Sequence, residues 1–341
     1  VGAAAGEGGA AGEGGGQAAN GWQPGDCPTD TFLDVSQAPG PGDGYPDPEL
    51  DISCTDTEVV VVSNDIPHYT FVPLTPNALT ESNYTWRFPR TPTVVEGQTN
   101  EIPLLGTVAL TVTGLSINGA NEGPMPDPFG DPVLNGIMDG CQGHTGMDYH
   151  THSMNQQCFM ESGLVAEPWM NDPVDTSVPS PILGWSLDGF PIYGSYGCDD
   201  ADCSNVIELK SSWQNTSIQA GTQGCEASNV CDQSSCDDGD CFVCGPVMEN
   251  GVQITACASK DQAWNTNEYQ AQDGGEYLDR CNGRTQPDGT YGYHVSATFP
   301  YTLGCYHGTP TATMGGAGMA PGGGMTPPGG EMMPGAGGTP P

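Results

Sequence analysis

Three of the chain's six histidines lie in one short segment between two cysteines, "DGCQGHTGMDYHTHSMNQQC", residues 139–158. Residues i and i+2 of a β-strand point to the same face, so a strand here would hold the imidazoles of His150 and His152 side by side. His144 lies in the Gly-flanked turn "QGHTG" and could fold back to join them. Because neutral imidazoles suit copper, zinc and iron, the segment predicts a metal site. Histidines that only hydrogen-bond the backbone are the alternative.

The elements that must position these histidines are predicted to be short strands. Gly 51 and Pro 31 make up about a quarter of the 341 residues, and both disfavour helix interiors. Apolar runs over 57–64, 106–119 and 180–197 are short, rich in β-branched or aromatic residues and bounded by turn residues. Residues 261–272 come nearest to a helical pattern. The sequence therefore predicts a mainly β protein with a single β-rich domain over residues 23–308.

Two low-complexity tails flank this domain. Residues 1–22 form a Gly/Ala-rich spacer, and residues 309–341 form a Gly/Pro/Met-rich tail. Neither tail can bury enough apolar surface to fold alone, so we expect them to lie along a second copy of the chain, giving a homo-oligomer or filament. Thioethers prefer Cu(I), so the methionines of the second tail suggest copper, unless they are apolar filler. These are Met314, Met319, Met325, Met332 and Met333.

The fourteen cysteines predict a disulfide framework and an oxidising compartment. Six of them form sequence-local couples, Cys27/Cys54, Cys141/Cys158 and Cys281/Cys305, and pairing within each couple is our interpretation. The other eight lie in a Cys-rich insertion over residues 198–257, and their connectivity stays open. They are Cys198, Cys203, Cys225, Cys231, Cys236, Cys241, Cys244 and Cys257.

The expected location of the protein and its net charge limit the kinds of partner that it can bind. It starts with Val1 rather than Met, which suggests a removed leader and a secreted or cell-surface protein. No apolar run approaches the roughly 18 residues of a transmembrane segment. With 42 acidic residues against 6 Lys+Arg, the net charge of −36 disfavours nucleic acid and attracts cations, although solubility alone also explains it.

Motifs for other chemistry are weak. Asp clusters at 41–51 and 236–241 could bind calcium, but neither fits the EF-hand pattern, and solvated loop charge is the favoured interpretation. "GWSLDG" fails the G-x-S-x-G pattern of serine hydrolases, because Asp188 occupies the last glycine position. No phosphate-binding G-x-x-x-x-G-K-[ST] loop is present.

Three blocks together resemble the YHYH domain family of secreted proteins: "DGCQGHTGMDYHTHS", "SPILGWSLDGFPIYG" and "YLDRCNGRTQPDGTYGYHVSATFPYTLGCYHGTP". The family's Tyr-His-Tyr-His block is matched by Tyr149-His150-Thr151-His152, with Thr151 in place of the second Tyr. Its Asn-Gly-Ile-Pro-x-His segment is similar to residues 64–68, with Asp65 in place of Gly. The resemblance covers roughly residues 55–310 and implies an extracytoplasmic protein of poorly defined activity.

With this resemblance, we expect a metal site built from His144, His150, His152 and His294, with His68 as a possible fifth ligand. His307, beside Cys305, ranks lowest. A copper ion is the expected cofactor, with zinc or calcium as alternatives. The leading hypothesis is a secreted or cell-surface, copper-binding protein that assembles with itself. A copper-dependent extracellular oxidoreductase is the alternative.

Overall fold

The structure is a computed structural model that describes residues 22–122, 131–133, 137–165, 173–215, 242–249, 252–259, 264 and 267–311. Within these ranges, the complete helices are four short 3₁₀ segments: Thr29–Thr31, Val35–Gln37, Gln156–Phe159 and Glu161–Leu164. The rest of the regular structure is β, so the predicted fold class is confirmed. Of residues 261–272, which came nearest to a helical pattern, the structure describes residue 264 and residues 267–272, and the latter begin with a strand, Asn267–Tyr269.

Seventeen strands are described in chain order. They are β1 Leu50–Cys54, β2 Glu58–Ser63, β3 Tyr84–Pro89, β4 Thr107–Thr111, β5 Ser116–Asn118, β6 Gly143–Thr145, β7 Tyr149–Thr151, β8 Ile182–Ser186, β9 Pro191–Tyr193, β10 Tyr196–Cys198, β11 Val206–Glu208, β12 Trp213–Asn215, β13 Phe242–Glu249, β14 Val252–Ser259, β15 Asn267–Tyr269, β16 Gly283–Thr285 and β17 Tyr291–His294.

Eight of these strands form the central sheet, in the order β16-β17-β9-β8-β4-β5-β7-β6. Neighbours in this order pair antiparallel except β5 with β7 and β9 with β17, which are parallel. The central strand β8 is buried along its whole length, as expected of a strand that is covered on both faces.

A second sheet, β1-β2-β3, packs on the central one. Side chains of strand β2 alternate between buried and more exposed positions. Val59 and Val61 are fully buried, whereas Val62 is exposed. The Phe88 ring of β3 stacks on the Trp185 ring of β8 with centroids 5.7 Å apart. Trp22, the last residue of the predicted spacer, is also buried against Trp185, in a T-shaped contact with ring centroids 5.3 Å apart.

The smaller pairs β10-β11, β12-β15 and β13-β14 all belong to the long segment between β9 and β16. The β13–β14 register places Cys244 opposite Cys257. Residues 216–241, with four more cysteines of the insertion, lie outside the described residues, as do residues 1–21 and 312–341 of the two tails. Among the described residues no helix is long and apolar enough to cross a membrane.

Four disulfides are described. Cys27–Cys54, Cys141–Cys158 and Cys281–Cys305 are the three predicted couples, so these pairings are confirmed. Cys198 pairs with Cys203, five residues away, at the start of the insertion.

Candidate metal centre

The β6–β7 hairpin brings the three histidines of the 139–158 segment together. His144 and His150 are direct partners across the antiparallel pair, and their Nε2 atoms lie 3.1 Å apart. The imidazole of His152, just after β7, has its ring centroid 5.0 Å from that of His150 and 5.6 Å from that of His144. The expectation that an i, i+2 pair would share one face is therefore met.

A fourth donor, which the sequence analysis missed, is Glu122. Its Oε1 atom lies 2.9 Å from His144 Nε2 and 3.8 Å from His150 Nε2, and it contacts His152 Nε2. All four donor atoms lie within 4.8 Å of one another. Glu122 follows strand β5, and the parallel pairing of β5 with β7 carries it to the histidines.

The protons of two imidazoles are fixed by backbone carbonyls, which can only accept. His150 Nδ1 donates to the Asp148 carbonyl at 3.0 Å, and His152 Nδ1 donates to the Gly119 carbonyl at 2.8 Å. In the neutral form of each ring, Nε2 is then a bare acceptor. Both of these acceptors face the carboxylate of Glu122, which is also an acceptor.

In this arrangement, hydrogen-bond acceptors face one another with few hydrogen atoms between them. Only His144 can carry a proton on Nε2 in a neutral cluster, and one proton cannot serve two imidazole nitrogens and a carboxylate oxygen at once. The three imidazoles are also shielded from solvent, since His144, His150 and His152 are 2%, 7% and 3% exposed. A buried imidazole nitrogen that faces another acceptor is costly, and an extra proton or a cation between the two would remove that cost.

The pKa directions follow from the same contacts. Burial raises the pKa of Glu122, but its close contacts with the three imidazoles, with His144 first, outweigh burial and hold that pKa below its usual range. Burial lowers the pKa of His150, but Glu122, the Asp148 carbonyl and Asp65 together raise it by more. For His152 burial prevails over Glu122, and the pKa is lowered. A metal ion binds an ionised carboxylate and neutral imidazoles, so any proton on these donor atoms is released when an ion binds.

The spacing of the donor atoms fits one four-coordinate ion. Ligand bonds of about 2.0–2.2 Å imply separations of about 3.3–3.6 Å between donors around a tetrahedral ion. Three of the separations, 2.9, 3.1 and 3.8 Å, lie around that range, whereas Glu122 and His152 approach one another more closely. Two of the three imidazoles also have the Nδ1–H to carbonyl bond that commonly orients metal-bound histidines.

Contacts on the other face of the hairpin hold it in place. The Tyr149 hydroxyl donates to Asp139 Oδ2 at 2.5 Å and lies 2.9 Å from the Tyr69 hydroxyl. Asp139 Oδ1 accepts from the backbone N–H groups of Cys141 and Gly143. The Cys141–Cys158 disulfide ties the start of the hairpin to the chain that follows it.

The structure does not bring the other predicted ligands to this group. His294 lies on β17, with β9, β8, β4 and β5 between it and β7. Its Nδ1 donates to the Gly194 carbonyl at 2.9 Å, and its Nε2 lies 2.7 Å from the side-chain amide nitrogen of Gln286. Both ring nitrogens are thus satisfied within the protein, and burial lowers the pKa of His294 to about 3.

His68 and His307 also lie apart from the three clustered histidines. His68 is buried and its Nε2 donates to the Cys158 carbonyl at 2.8 Å. Burial lowers its pKa to about 4, so it is neutral near pH 7. His307 stacks on the Tyr291 ring with centroids 3.7 Å apart. Among the described residues, the only group of three or more His, Cys, Asp or Glu with metal-binding spacing is Glu122, His144, His150 and His152.

Fold and site together define a disulfide-braced, mainly β protein with a buried His₃Glu group able to hold a metal ion. A family model described as YHYH protein matches residues 85–308, more than half of the chain, and the chain belongs to that family. The family and the disulfides indicate an extracytoplasmic protein. No curated protein and no solved structure matches this chain.

Proposed function

We propose that this protein is an exported metal-binding protein whose Glu122, His144, His150 and His152 hold one transition-metal ion. The observation that carries the proposal is the convergence of acceptors: two Nε2 atoms with fixed Nδ1–H bonds face a carboxylate in a buried site. A divalent cation satisfies all four donor atoms at once and removes the repulsion between them.

Copper is the ion that we propose first. Among first-row divalent ions, Cu²⁺ binds nitrogen and oxygen donors most tightly, and imidazole suits both copper and zinc. Calcium takes six to eight oxygen ligands, whereas this group offers three nitrogens and one carboxylate. Copper against zinc can be decided by loading the chelator-treated protein with each ion and comparing dissociation constants by competition with a chromogenic chelator.

A matched pair of substitutions tests the site. In both His152→Asn and His294→Asn, the amide can still donate to the glycine carbonyl, while the Nε2 atom is removed. Wild type and His294→Asn should each bind one ion per chain by elemental analysis after dialysis. His152→Asn should bind at least about tenfold more weakly, since it loses one of four ligands. Equal ion content and affinity in His152→Asn and wild type would refute the proposal.

For biological role, we propose metal capture or storage outside the cytoplasm, at the cell surface, by an assembly of this chain with itself. Support for capture comes from the burial of all three imidazoles, which slows exchange of the ion with solvent. Support for assembly comes only from the composition of residues 1–21 and 312–341. Sedimentation of the full chain and of residues 22–311 tests it: assembly should disappear with the tails, and a full chain that is a monomer refutes it.

The oxidoreductase alternative gains no specific support. Four protein donors complete the shell of a four-coordinate ion, whereas catalytic metal sites keep a position open for water or substrate. We therefore place metal binding ahead of catalysis.

A further inference from the structure

The central sheet has an internal symmetry that relates the β4–β5 hairpin to the β8–β9 hairpin. Both hairpins turn at a glycine with positive φ, Gly114 at 84° and Gly189 at 90°. In each turn the glycine N–H donates to the residue three positions earlier, at 3.0 and 2.9 Å. Leu110 and Trp185, which correspond between the hairpins, face one another across the β4–β8 pair. A pseudo-twofold axis therefore passes between these two residues.

The symmetry extends to the outer hairpins β6–β7 and β16–β17. Each pairs in parallel with the inner hairpin of its own half, Ile117 opposite Thr151 and Ile192 opposite Tyr293. The sheet order β16-β17-β9-β8-β4-β5-β7-β6 thus consists of two halves that mirror one another in strand order. We call β4–β7 the first copy and β8–β9 with β16–β17 the second copy.

The outer hairpins share one set of side-chain contacts. Asp139 accepts the hydroxyl proton of Tyr149, and Asp279 accepts that of Tyr291 at 2.9 Å. Gln142 and Asn282 both have positive φ, at 72° and 65°. The other carboxylate oxygen of each aspartate accepts two backbone N–H groups, from Cys141 and Gly143 at 2.8 and 3.0 Å and from Cys281 and Gly283 at the same two distances. Each hairpin also carries a disulfide, Cys141–Cys158 or Cys281–Cys305.

The four metal donors of the first copy have identifiable partners in the second. His152 corresponds to His294, since both donate Nδ1–H to the glycine that ends the neighbouring strand. The cross-strand pair of His144 and His150 corresponds to the pair of Arg284 and Gly292. Glu122 lies three residues after Gly119, and Gly197 lies three residues after Gly194. The donor set Glu, His, His, His is thus replaced by Gly197, Arg284, Gly292 and His294.

The guanidinium of Arg284 lies where the second copy lacks a counterpart of the Glu122 carboxylate. A Cβ on Gly197 would lie 2.5 Å from Nη2 of Arg284, so the glycine leaves room for the guanidinium in its present position. Nη2 donates to the Cys198 carbonyl at 2.7 Å and so joins strand β16 to the chain after β9. An ion held by His144 and Glu122 would join the same two elements of the first copy, strand β6 and the chain after β5.

We infer that the central sheet consists of two copies of one unit, and that Arg284 is a fixed cation whose structural role in the second copy is that of the metal ion in the first. The half of this inference that concerns the ion rests on the proposed function. According to this inference, the ion braces the β6–β7 hairpin against the loop after β5. Arg284 braces the corresponding elements of the second copy without an ion.

The test transplants the second arrangement into the first copy. The variant Glu122→Gly/His144→Arg/His150→Gly should bind no ion, and its melting temperature should be unchanged by a chelator. That temperature should exceed the one for Glu122→Ala/His144→Ala/His150→Ala, which has the same loss of ligands without the guanidinium. A transplant that melts no higher than the alanine variant overturns the inference. If the wild-type protein binds no ion, the proposed function is refuted. The role of the guanidinium is still tested in that case, because the melting temperatures of the two variants can be compared without an ion.

A second set of variants keeps the inference testable if the transplant does not fold. Arg284→Met removes the charge and keeps most of the stem, whereas Arg284→Lys keeps a cation. Arg284→Met should lower the melting temperature, and Arg284→Lys should restore part of the loss. A melting temperature of Arg284→Met equal to that of wild type, or no difference between Met and Lys, overturns the role assigned to Arg284.

Discussion

The hydroxyl of Tyr149 and the carboxylate of Asp139 are joined by a hydrogen bond of 2.5 Å across the hairpin that carries the three clustered histidines. Both residues are buried, and the bond lies on the face of the strand opposite the imidazole of His150. Burial raises the pKa of the Asp139 carboxyl, which a hydrogen bond from Tyr149 partly offsets. The pair therefore fixes the hairpin without contributing a ligand.

The first prediction concerns this hydrogen bond. Tyr149→Phe leaves the ring in place but removes a donor from a buried carboxylate, which should lower the free energy of unfolding by about 1–3 kcal/mol. It should also weaken metal binding, because the hairpin that holds His144 and His150 loses a constraint. Denaturant unfolding and chelator competition measure the two effects.

Tyr291→Phe is the matched control for that prediction, since Tyr291 donates to Asp279 in the second copy. It should cost a similar free energy of unfolding and leave metal affinity unchanged. Equal loss of metal affinity in both variants would contradict a local role for Tyr149.

Much of the site was predictable from sequence because the period of a strand is two residues. That period placed His150 and His152 together, and their nearness to His144 in the chain made a tight hairpin sufficient to complete the triad. Glu122 was not predictable, because it reaches the histidines through the parallel pairing of β5 with β7, which no local spacing encodes. Strand order likewise decides that His294 lies at the far side of the sheet.

The internal repeat was hidden by unequal loops. "DGCQGHT" and "DRCNGRT" share four of seven residues, but three residues separate β6 from β7 and five separate β16 from β17. The inner and outer hairpins of the second copy are also separated by the insertion with β10–β15. The shared contacts of Asp139 and Asp279, together with the strand order, reveal the correspondence.

The second prediction is a pH dependence that arises from Asp65. This carboxylate is 1% exposed and accepts from the backbone N–H and the hydroxyl of Ser116, and burial raises its pKa to about 7. Because the pKa of Asp65 in the folded state lies above the ordinary aspartate value of 3.8, the folded state binds more protons than the unfolded state between pH 4 and pH 7. The contribution of Asp65 to stability is therefore present below pH 4 and is lost as the pH rises through 7.

Asp65→Asn should remove this dependence. Asn is uncharged, tolerates the φ of 58° at this position and can still accept from the Ser116 N–H. In metal-free protein, we expect the variant to gain free energy of unfolding relative to wild type from pH 5 to pH 8, by a few kcal/mol at most. A difference that stays constant across this range in denaturant titrations would show that Asp65 does not titrate as described.

The third prediction separates the two related disulfides. Opening Cys141–Cys158 with a double Ser substitution should lower the free energy of unfolding by about 3 kcal/mol and also weaken metal binding, because the bridge ties down the hairpin with the ligands. Opening Cys281–Cys305 in the same way should cost similar stability and leave metal affinity intact. Calorimetry measures the stability of each variant, and competition titration measures its metal affinity. A similar loss of metal affinity in both variants would contradict the prediction.

The fourth prediction places the beginning of the folded domain at Trp22. The Trp22 ring is 6% exposed and packs edge-on against Trp185, whose Nε1 donates to the Thr31 hydroxyl at 2.9 Å. Trp22→Ala should therefore cost about 3–5 kcal/mol of unfolding free energy, as for other buried aromatic truncations. Deletion of residues 1–21 should leave the unfolding midpoint unchanged. If that deletion destabilises the monomer as much as Trp22→Ala does, the spacer contributes to the fold, and the boundary must move toward Val1.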